Sequence, residues 1–359
     1  MISLYFHFPF CRKKCPYCHF FVIPNRDQDP FLKALLQEWE LRLPLIESSE
    51  ILSIYFGGGT PSLSLEGVKA ILSRVTAKEI TVEINPEDGT LTTLQTLKEL
   101  GVNRISIGAQ SFSPMLLKHL GRAHTAKETI QTVEHAKKVG IDNISIDLIY
   151  ELPYQTLSEW KETIQIAAAL PITHLSLYNL TIEPHTLFKK QEKVLRPHMP
   201  SEEEGLAMLE AACTHFEEHG LKRYEISAFA RDEAHSLHNI GYWKYRNFLG
   251  FGPSAFSYLD GNRFRNVCHL GRYIKLLSQK SLPVDFEERL PFPASLHEKI
   301  AIGLRMMEGL TLLELPQETK EKLSFLETKG WVKSSGSHFA LTEKGRLFYD
   351  SVAEELIDV

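Results

Sequence analysis

The sequence predicts an α/β chain, with six strand–helix units followed by a smaller, mainly helical C-terminal module. Three observations predict it. Short β-branched or aromatic runs alternate with longer amphipathic stretches from residue 1 to about 180. The regularity stops after Pro184, and from about 294 the order becomes helix, helix, hairpin. Strand–helix repeats joined by short connections imply parallel strands with right-handed crossovers, in an open barrel or a doubly wound sheet. In either arrangement the chemistry gathers at the carboxyl ends of the strands.

The strand runs are ISLYFHF (2–8), ILSIYF (51–56), ITVEI (80–84), NRISIG (103–108), NISIDLI (143–149) and THLSLYNL (173–180). Between them, PFLKALLQEWELRL, SLEGVKAILSRV, TLQTLKELG, TAKETIQTVEHAKKVG and SEWKETIQIAAAL repeat apolar residues at three and four. Gly101 and Gly140 stand where helix C-terminal caps belong. A polar segment with His185, Pro197, His198 and Pro200 then leads to a helix near 201–219 and a strand over Arg223–Ser227. Residues 239–268, rich in aromatics and glycine, read as irregular loops with one hairpin turning at Asp260-Gly261. Helical patterns at 295–308 and 318–329, a hairpin in GWVKSSGSHFALT and a final helix in EKGRLFYDSVAEEL outline a winged-helix module. The expected division is a barrel over 1–184, barrel-closing elements over 185–290 and the C-terminal module over 291–359.

Hydrophobic content of 43% and charged content of 24% suit a globular enzyme, and 359 residues suit one large domain plus a small one. A net charge of -5 gives no electrostatic case for nucleic acid, and the acidic end of the C-terminal module carries no basic recognition stripe. The first residues lack a secretory pattern and no stretch is long and apolar enough to span a bilayer, so a cytoplasmic location is expected. Cys213 and Cys268 are isolated and read as buried small hydrophobes.

The other three cysteines, Cys11, Cys15 and Cys18, follow C-x3-C-x2-C just after the first strand. A structural zinc site takes four ligands and pairs C-x2-C with a second cysteine or histidine pair, which this sequence lacks. His19, adjacent to Cys18, is badly placed for the same tetrahedron. Three thiolates suit a [4Fe–4S] cluster with one iron left open.

Tyr5-x-His7-x-Pro9-x-Cys11-x3-Cys15-x-Tyr17-Cys18 resembles the signature of the radical S-adenosylmethionine (SAM) superfamily. The likeness is to the branch holding oxygen-independent coproporphyrinogen III oxidase and the heme chaperone HemW. It extends through Gly57–Pro61 (GGGTP), Glu83–Pro86 (EINP), Arg104–Gly108 (RISIG), Gln110–Phe112 (QSF) and Leu120–His124 (LGRAH). Beyond these come Asp147–Pro153, Tyr178–Pro184 and Asn239–Trp243. The resemblance implies a partial (β/α)6 barrel, a [4Fe–4S] cluster on the three cysteines, and SAM.

Glycines at a strand end permit close backbone approach to a ligand, and the resemblance assigns Gly58, Gly59 and Thr60 to SAM. Glu83 and Asp147 sit in apolar runs, where a buried carboxylate needs a partner. By resemblance Glu83, Gln110, Arg122, Asp147 and Thr181 bind SAM, as do Tyr5 and Tyr17 beside the cluster. Phe256, in a loop implied to close over the barrel mouth, matches an apolar SAM contact. Relatives often carry Gly-Ala-His where this chain has Ser254-Ala255-Phe256, which leaves His185, His198, His235 and His238 as the nearby alternatives for a heme ligand. Each of these reads first as a surface residue or a local hydrogen-bonder.

Two functions fit that branch. The oxidase carries another cysteine two positions after the third, where this chain has Phe20, and a longer segment before its first strand, where this chain reaches Cys11 after ten residues. Both differences imply a heme chaperone that binds heme as cargo and passes it to acceptor proteins of respiration. The alternative is oxidative decarboxylation of coproporphyrinogen III. Either would draw electrons from a flavodoxin or ferredoxin.

Overall fold

A computed structural model describes residues 1–311, 315–336 and 338–357. All six expected strands are present: β1 (Ile2–Phe8), β2 (Ile51–Gly58), β3 (Glu79–Ile84), β4 (Arg104–Gln110), β5 (Asn143–Tyr150) and β6 (His174–Asn179). They pair in parallel in that order. The connecting helices are α1 (Asp29–Arg42), α2 (Leu65–Leu72), α3 (Leu91–Glu99), α4 (Ala126–Lys138) and α5 (Leu157–Ala169). Helices α4 and α5 each begin with a full capping box, Thr125 with Glu128 and Thr156 with Glu159. Each box satisfies two amide donors that the first turn would otherwise leave open.

One face of this sheet is apolar and the other polar. Leu4, Phe6, Ile54, Phe56, Val82, Ile105, Ile107 and Ile146 are fully buried. The Phe6 ring stacks 4.8 Å from Phe251 and 5.2 Å from Phe56, with Trp39 of α1 beyond it. Successive strand residues point to opposite faces, so Tyr55, Glu83, Ser106, Asp147 and Ser176 project into the concave side and line a cavity there. A strand covered by helices on one face only can carry polar residues at every second position.

The segment after Pro184 extends the same sheet at both edges. After α6 (Glu202–Glu218), β7 (Lys222–Glu225) and β8 (Ala228–Ala230) form a hairpin whose β8 pairs antiparallel with β6. Residues 239–268, expected as irregular loops with one hairpin, contain most of α7 (Leu237–Trp243) and a strand β9 (Phe248–Phe251) besides the two hairpin strands, β10 (Phe256–Leu259) and β11 (Asn262–Asn266). Strand β9 lies parallel to β1 on its free edge, with Tyr5 opposite Gly250 and Phe6 opposite Phe251. Its glycines hid it from a propensity reading, yet a Cβ on Gly250 would strike the Phe256 carbonyl of the returning strand. The hairpin at Asp260-Gly261 forms as expected, and after α8 (Leu270–Ser278) strand β12 (Val284–Arg289) completes the sheet. The order is β12-β11-β10-β9-β1-β2-β3-β4-β5-β6-β8-β7, with free edges at both ends, so the barrel is open. Cys268 is exposed rather than buried, and Cys213 is half-buried.

The C-terminal module holds α9 (Ala294–Gly303), β13 (Leu310–Thr311), α10 (Gln317–Thr328), β14 (Val332–Ser335), β15 (His338–Leu341), α11 (Glu343–Leu347) and α12 (Tyr349–Ile357). It has its own apolar cluster, including Leu323, Leu326, Phe339, Val352 and Leu356. Helix α9 stops five residues short of its expected end because Met306 leaves it to bridge Glu225 of β7. The single helix expected at the end is two, parted at Phe348, whose ring stacks 5.1 Å from Trp331.

A buried polar knot ties α1 to the strands added after residue 185. Glu38, fully buried, accepts from Arg42 Nε at 2.9 Å and Asn266 Nδ2 at 2.7 Å on one oxygen. Its other oxygen accepts from the Gly252 amide at 2.8 Å and Tyr273 Oη at 2.7 Å. Every acceptor site of this carboxylate is used, and removing one partner of such a group leaves the rest buried and unpaired. Glu38→Ala should therefore cost about 3–5 kcal/mol in a denaturant titration. A loss below about 1 kcal/mol would show that the knot is not a support of the fold.

Candidate cofactor site at the carboxyl ends of the strands

The cavity on the concave face has a volume of about 440 Å³, within the usual range for a pocket that holds a small ligand or cofactor. Cys11, Cys15 and Cys18 all line it from the loop after β1, and none is fully buried. The loop is pinned at its far end by His7. That ring donates from Nε2 to the Phe21 carbonyl at 2.8 Å and accepts from Tyr5 Oη at Nδ1, 3.1 Å away. Burial pulls the His7 pKa down to about 4, so the ring is neutral and can play both parts.

A chain of contacts then links two of the thiols across three strands. Thr60 Oγ1 lies 3.5 Å from Cys11 Sγ and accepts from Asn85 Nδ2 at 2.9 Å. Asn85 Oδ1 accepts from Arg122 Nη2 at 2.6 Å, and Arg122 Nη1 points at Cys15 Sγ from 3.6 Å. Arg122 also donates to the Gly108 carbonyl at 2.9 Å, which fixes the guanidinium against the end of β4. Burial pushes the Cys11 thiol up to about 11 and raises Cys18 as well. Thiolates here need a positive partner, and Arg122 supplies one. Among the described residues no three His, Cys, Asp or Glu side chains converge closely enough for a single ion. A four-iron cluster spans more than one ion, and three half-exposed thiols facing one cavity form a donor set that fits it.

The glycines of GGGTP have a reason that precedes any ligand. A Cβ on Gly59 would stand 2.6 Å from the Phe10 carbonyl oxygen and 2.7 Å from that of Phe8, while its amide donates to Phe8 O at 2.7 Å. Gly58 has φ +100° and a Cβ there would run into the His7 ring. These residues let β2 close against β1 where the cysteine loop begins, and they also line the cavity.

Glu83 and Asp147 face each other from β3 and β5. Glu83 accepts from Tyr55 Oη at 2.9 Å and from the Gly58 amide at 3.1 Å. Asp147 accepts from Ser106 Oγ, 3.3 Å from each oxygen, and from Ser176. Burial raises both carboxyls, with Asp147 adding to the rise of Glu83, which reaches about 7. Their acceptor oxygens and shared negative charge suit hydroxyl or ammonium groups of a ligand.

Of the residues expected to contact SAM, Tyr17, Gly58, Gly59, Thr60, Glu83, Gln110, Arg122, Asp147 and Thr181 all line the one cavity. Two expected contacts lie elsewhere. Tyr5 sits beside the cavity without lining it, engaged with His7 and stacked on Tyr55 at 6.2 Å. Phe256 is 44% exposed and packs edge-on to Phe286, and no residue of 250–256 lines the cavity. The loop that was expected to cover the mouth is instead drawn toward α1 by the Glu38 knot. His238 is buried with both ring nitrogens hydrogen-bonded, to Ser53 and Tyr242. His235 stacks on Tyr224 and His198 on Tyr154, whereas His185 is exposed. The sequence reading missed Tyr55, Asn85, Arg104, Ser106 and Ser176. The available signal was polar residues at alternate positions in TVEIN, RISIG and HLSL.

The raised Glu83 carboxyl has a consequence for stability. Unfolded, it ionises near 4.5; folded, it keeps its proton up to about 7. The folded chain thus binds more protons between those values, and stability falls as pH rises through that window. The full penalty above pH 7 is at most about 3 kcal/mol, reduced by solvent screening in the cavity. Glu83→Gln should flatten this fall when the chain without added cofactors is unfolded by urea at pH 5 and pH 8. An unchanged pH slope would contradict the assignment.

Known proteins resemble this chain over nearly its whole length. Residues 5–167 match the radical SAM superfamily and residues 293–348 match the HemN C-terminal domain. The chain is 34% identical to the heme chaperone HemW of Bacillus subtilis (strain 168), covering 98% of both chains. It is 31% identical to the heme chaperone HemW of Escherichia coli (strain K12), covering 98% of this chain and 97% of that one. In fold it matches coproporphyrinogen III oxidase (HemN) from Escherichia coli with a TM-score of 0.87 at 24% identity, over 99% of this chain and 90% of that one. No helix among the described residues is long and apolar enough to cross a membrane. The chain belongs to the radical SAM superfamily, as a protein of the HemW type.

Proposed function

We propose that this chain is a heme chaperone, which binds heme as cargo and passes it to acceptor proteins such as those of respiration. Superfamily membership implies a [4Fe–4S] cluster and SAM, and on this reading Cys11, Cys15 and Cys18 hold the cluster. When bound, the cluster supplies one-electron reduction of SAM at its open iron. The chain's own residues do the rest. Arg122 and Thr60 hold Cys15 and Cys11 in place, Gly58, Gly59 and Thr60 form the rim, and Glu83 and Asp147 receive hydroxyl or ammonium groups. Gln110, Tyr17 and Thr181 close the sides. The electron source on this reading is a small redox protein such as a flavodoxin or ferredoxin, met at the mouth where Lys13 and Lys14 are exposed. Half-exposed thiols belong in a reducing compartment, which supports a cytoplasmic location.

The observation that carries the chaperone reading over the oxidase is Phe20. It stands where the oxidase pattern has one more cysteine, lines the cavity mouth and is 54% exposed. An apolar ring there offers a contact for a flat apolar cargo and no thiol for chemistry. Full-length likeness to HemW proteins supports the same reading.

Incubated anaerobically with coproporphyrinogen III, SAM and a strong reductant, the reconstituted protein should form no protoporphyrinogen IX at enzymatic turnover. It should bind stoichiometric heme and lose it to an acceptor. Sustained protoporphyrinogen IX formation would establish the oxidase instead. Cys15→Ser should abolish the iron–sulfur absorbance and reductive cleavage of SAM, and an unchanged iron content would refute the ligand assignment.

A further inference from the structure

Asp88 is a buried carboxylate beside the cysteine loop that does not line the cavity. It ends the short 3-10 turn Pro86–Asp88, which follows β3 and begins at Asn85, the residue that bridges Thr60 and Arg122. The turn rests on a firm base. Thr132 Oγ1 and His135 Nδ1 of α4 donate to the carbonyls of Pro86 and Gly89, each at 3.0 Å. A Cβ on Gly89 would strike the Thr132 hydroxyl, so the turn and the helix pack without a gap.

From this base Asp88 reaches the cysteine loop. Its Oδ1 accepts from Arg12 Nε at 3.0 Å and from Arg12 Nη2 at 2.6 Å. Its Oδ2 is buried with no hydrogen-bond partner among the described residues. A carboxylate buried in that state is costly unless a cation stands beside it, and the Arg12 guanidinium is that cation. Arg12 lies between Cys11 and Cys15. Among the described residues, the backbone of 12–14 makes no hydrogen bond outside the strand ladders. Lys13 and Lys14 line the cavity, whereas Arg12 turns away from it to Asp88. A side chain thus fixes a span that the backbone leaves loose.

We propose that Asp88 is a positioning residue for the cluster, acting through Arg12: the pair is a latch that holds the span from Cys11 to Cys15 in the shape that ligates iron. The proposal rests on the assignment of the cluster to the three cysteines. Two residues of one turn then grip the loop. Asn85 acts at the thiols, through Thr60 and Arg122, and Asp88 acts between them, through Arg12. Because 60% of the Arg12 side chain is exposed, solvent screens the pair and its loss loosens the loop without unfolding the chain.

The test follows iron release to a ferrous chelator from the anaerobically reconstituted full chain. It compares wild type with Asp88→Asn, Arg12→Gln, the double variant and Arg12→Lys. Each neutral single variant should release iron about fivefold faster, the scale of one partly exposed ion pair. The double variant should be no faster than the quicker single one, because a shared latch is lost only once. Arg12→Lys keeps the charge without the fork and should recover part of the slow release. Unchanged release in both single variants, or losses that add in the double variant, would overturn the proposal. Should Asp88→Asn fail to fold, Arg12→Gln and Arg12→Lys decide it, and equal release from those two would overturn it. A wild-type chain that takes up no iron would overturn the cluster assignment as well, whereas a cluster indifferent to all four variants leaves that assignment standing.

Discussion

The contacts running from Cys11 through Thr60, Asn85 and Arg122 to Cys15 are what the rest of the site depends on. They cross from the loop after β1 to the ends of β2 and β3 and to the segment after β4. A loop with three cysteines has no preferred shape of its own. Here its shape is imposed by strand ends whose spacing is fixed by the parallel ladder. Gly59 permits this, since only a residue without Cβ lets β2 approach the carbonyls of Phe8 and Phe10 so closely. The guanidinium that orients Cys15 also offsets the negative charge a bound cluster would bring.

The open barrel explains how so many polar groups can be buried. With helices on one side only, alternate residues of each strand fall to the apolar layer under α1–α5 or to the concave cavity. The apolar set provides the core, and the polar set satisfies itself in pairs: Tyr55 with Glu83, Ser106 with Asp147, Ser145 with His174. The strands β9 to β12 then seal the free edge of β1, held to α1 by Glu38. Conformational and chemical demands thus separate by face.

Much of this was legible in the sequence. The six barrel strands and their helices follow from the two periodicities, and the three cysteines announce themselves by spacing. What stayed hidden has physical causes. Strand β9 is short and contains Gly250, so it looked like a loop until its partner β1 was known. Arg104 opens the strand run RISIG, where a charged residue reads as a solvated edge; only the inward register of β4 buries it. Phe256 matched a ligand contact by position in the chain, but the turn before it is pulled toward α1 and its ring faces outward. Tyr5, beside the cavity, bonds His7, which in turn anchors the cysteine loop at Phe21.

If this network holds three thiolates, one iron of a bound cluster stays open to SAM. Mössbauer spectroscopy of the iron-isotope-enriched, anaerobically reconstituted chain, with and without SAM, tests it most directly. SAM should change the isomer shift of one iron site in four and leave the other three as they were. A spectrum in which SAM alters no iron, or all four equally, would contradict it.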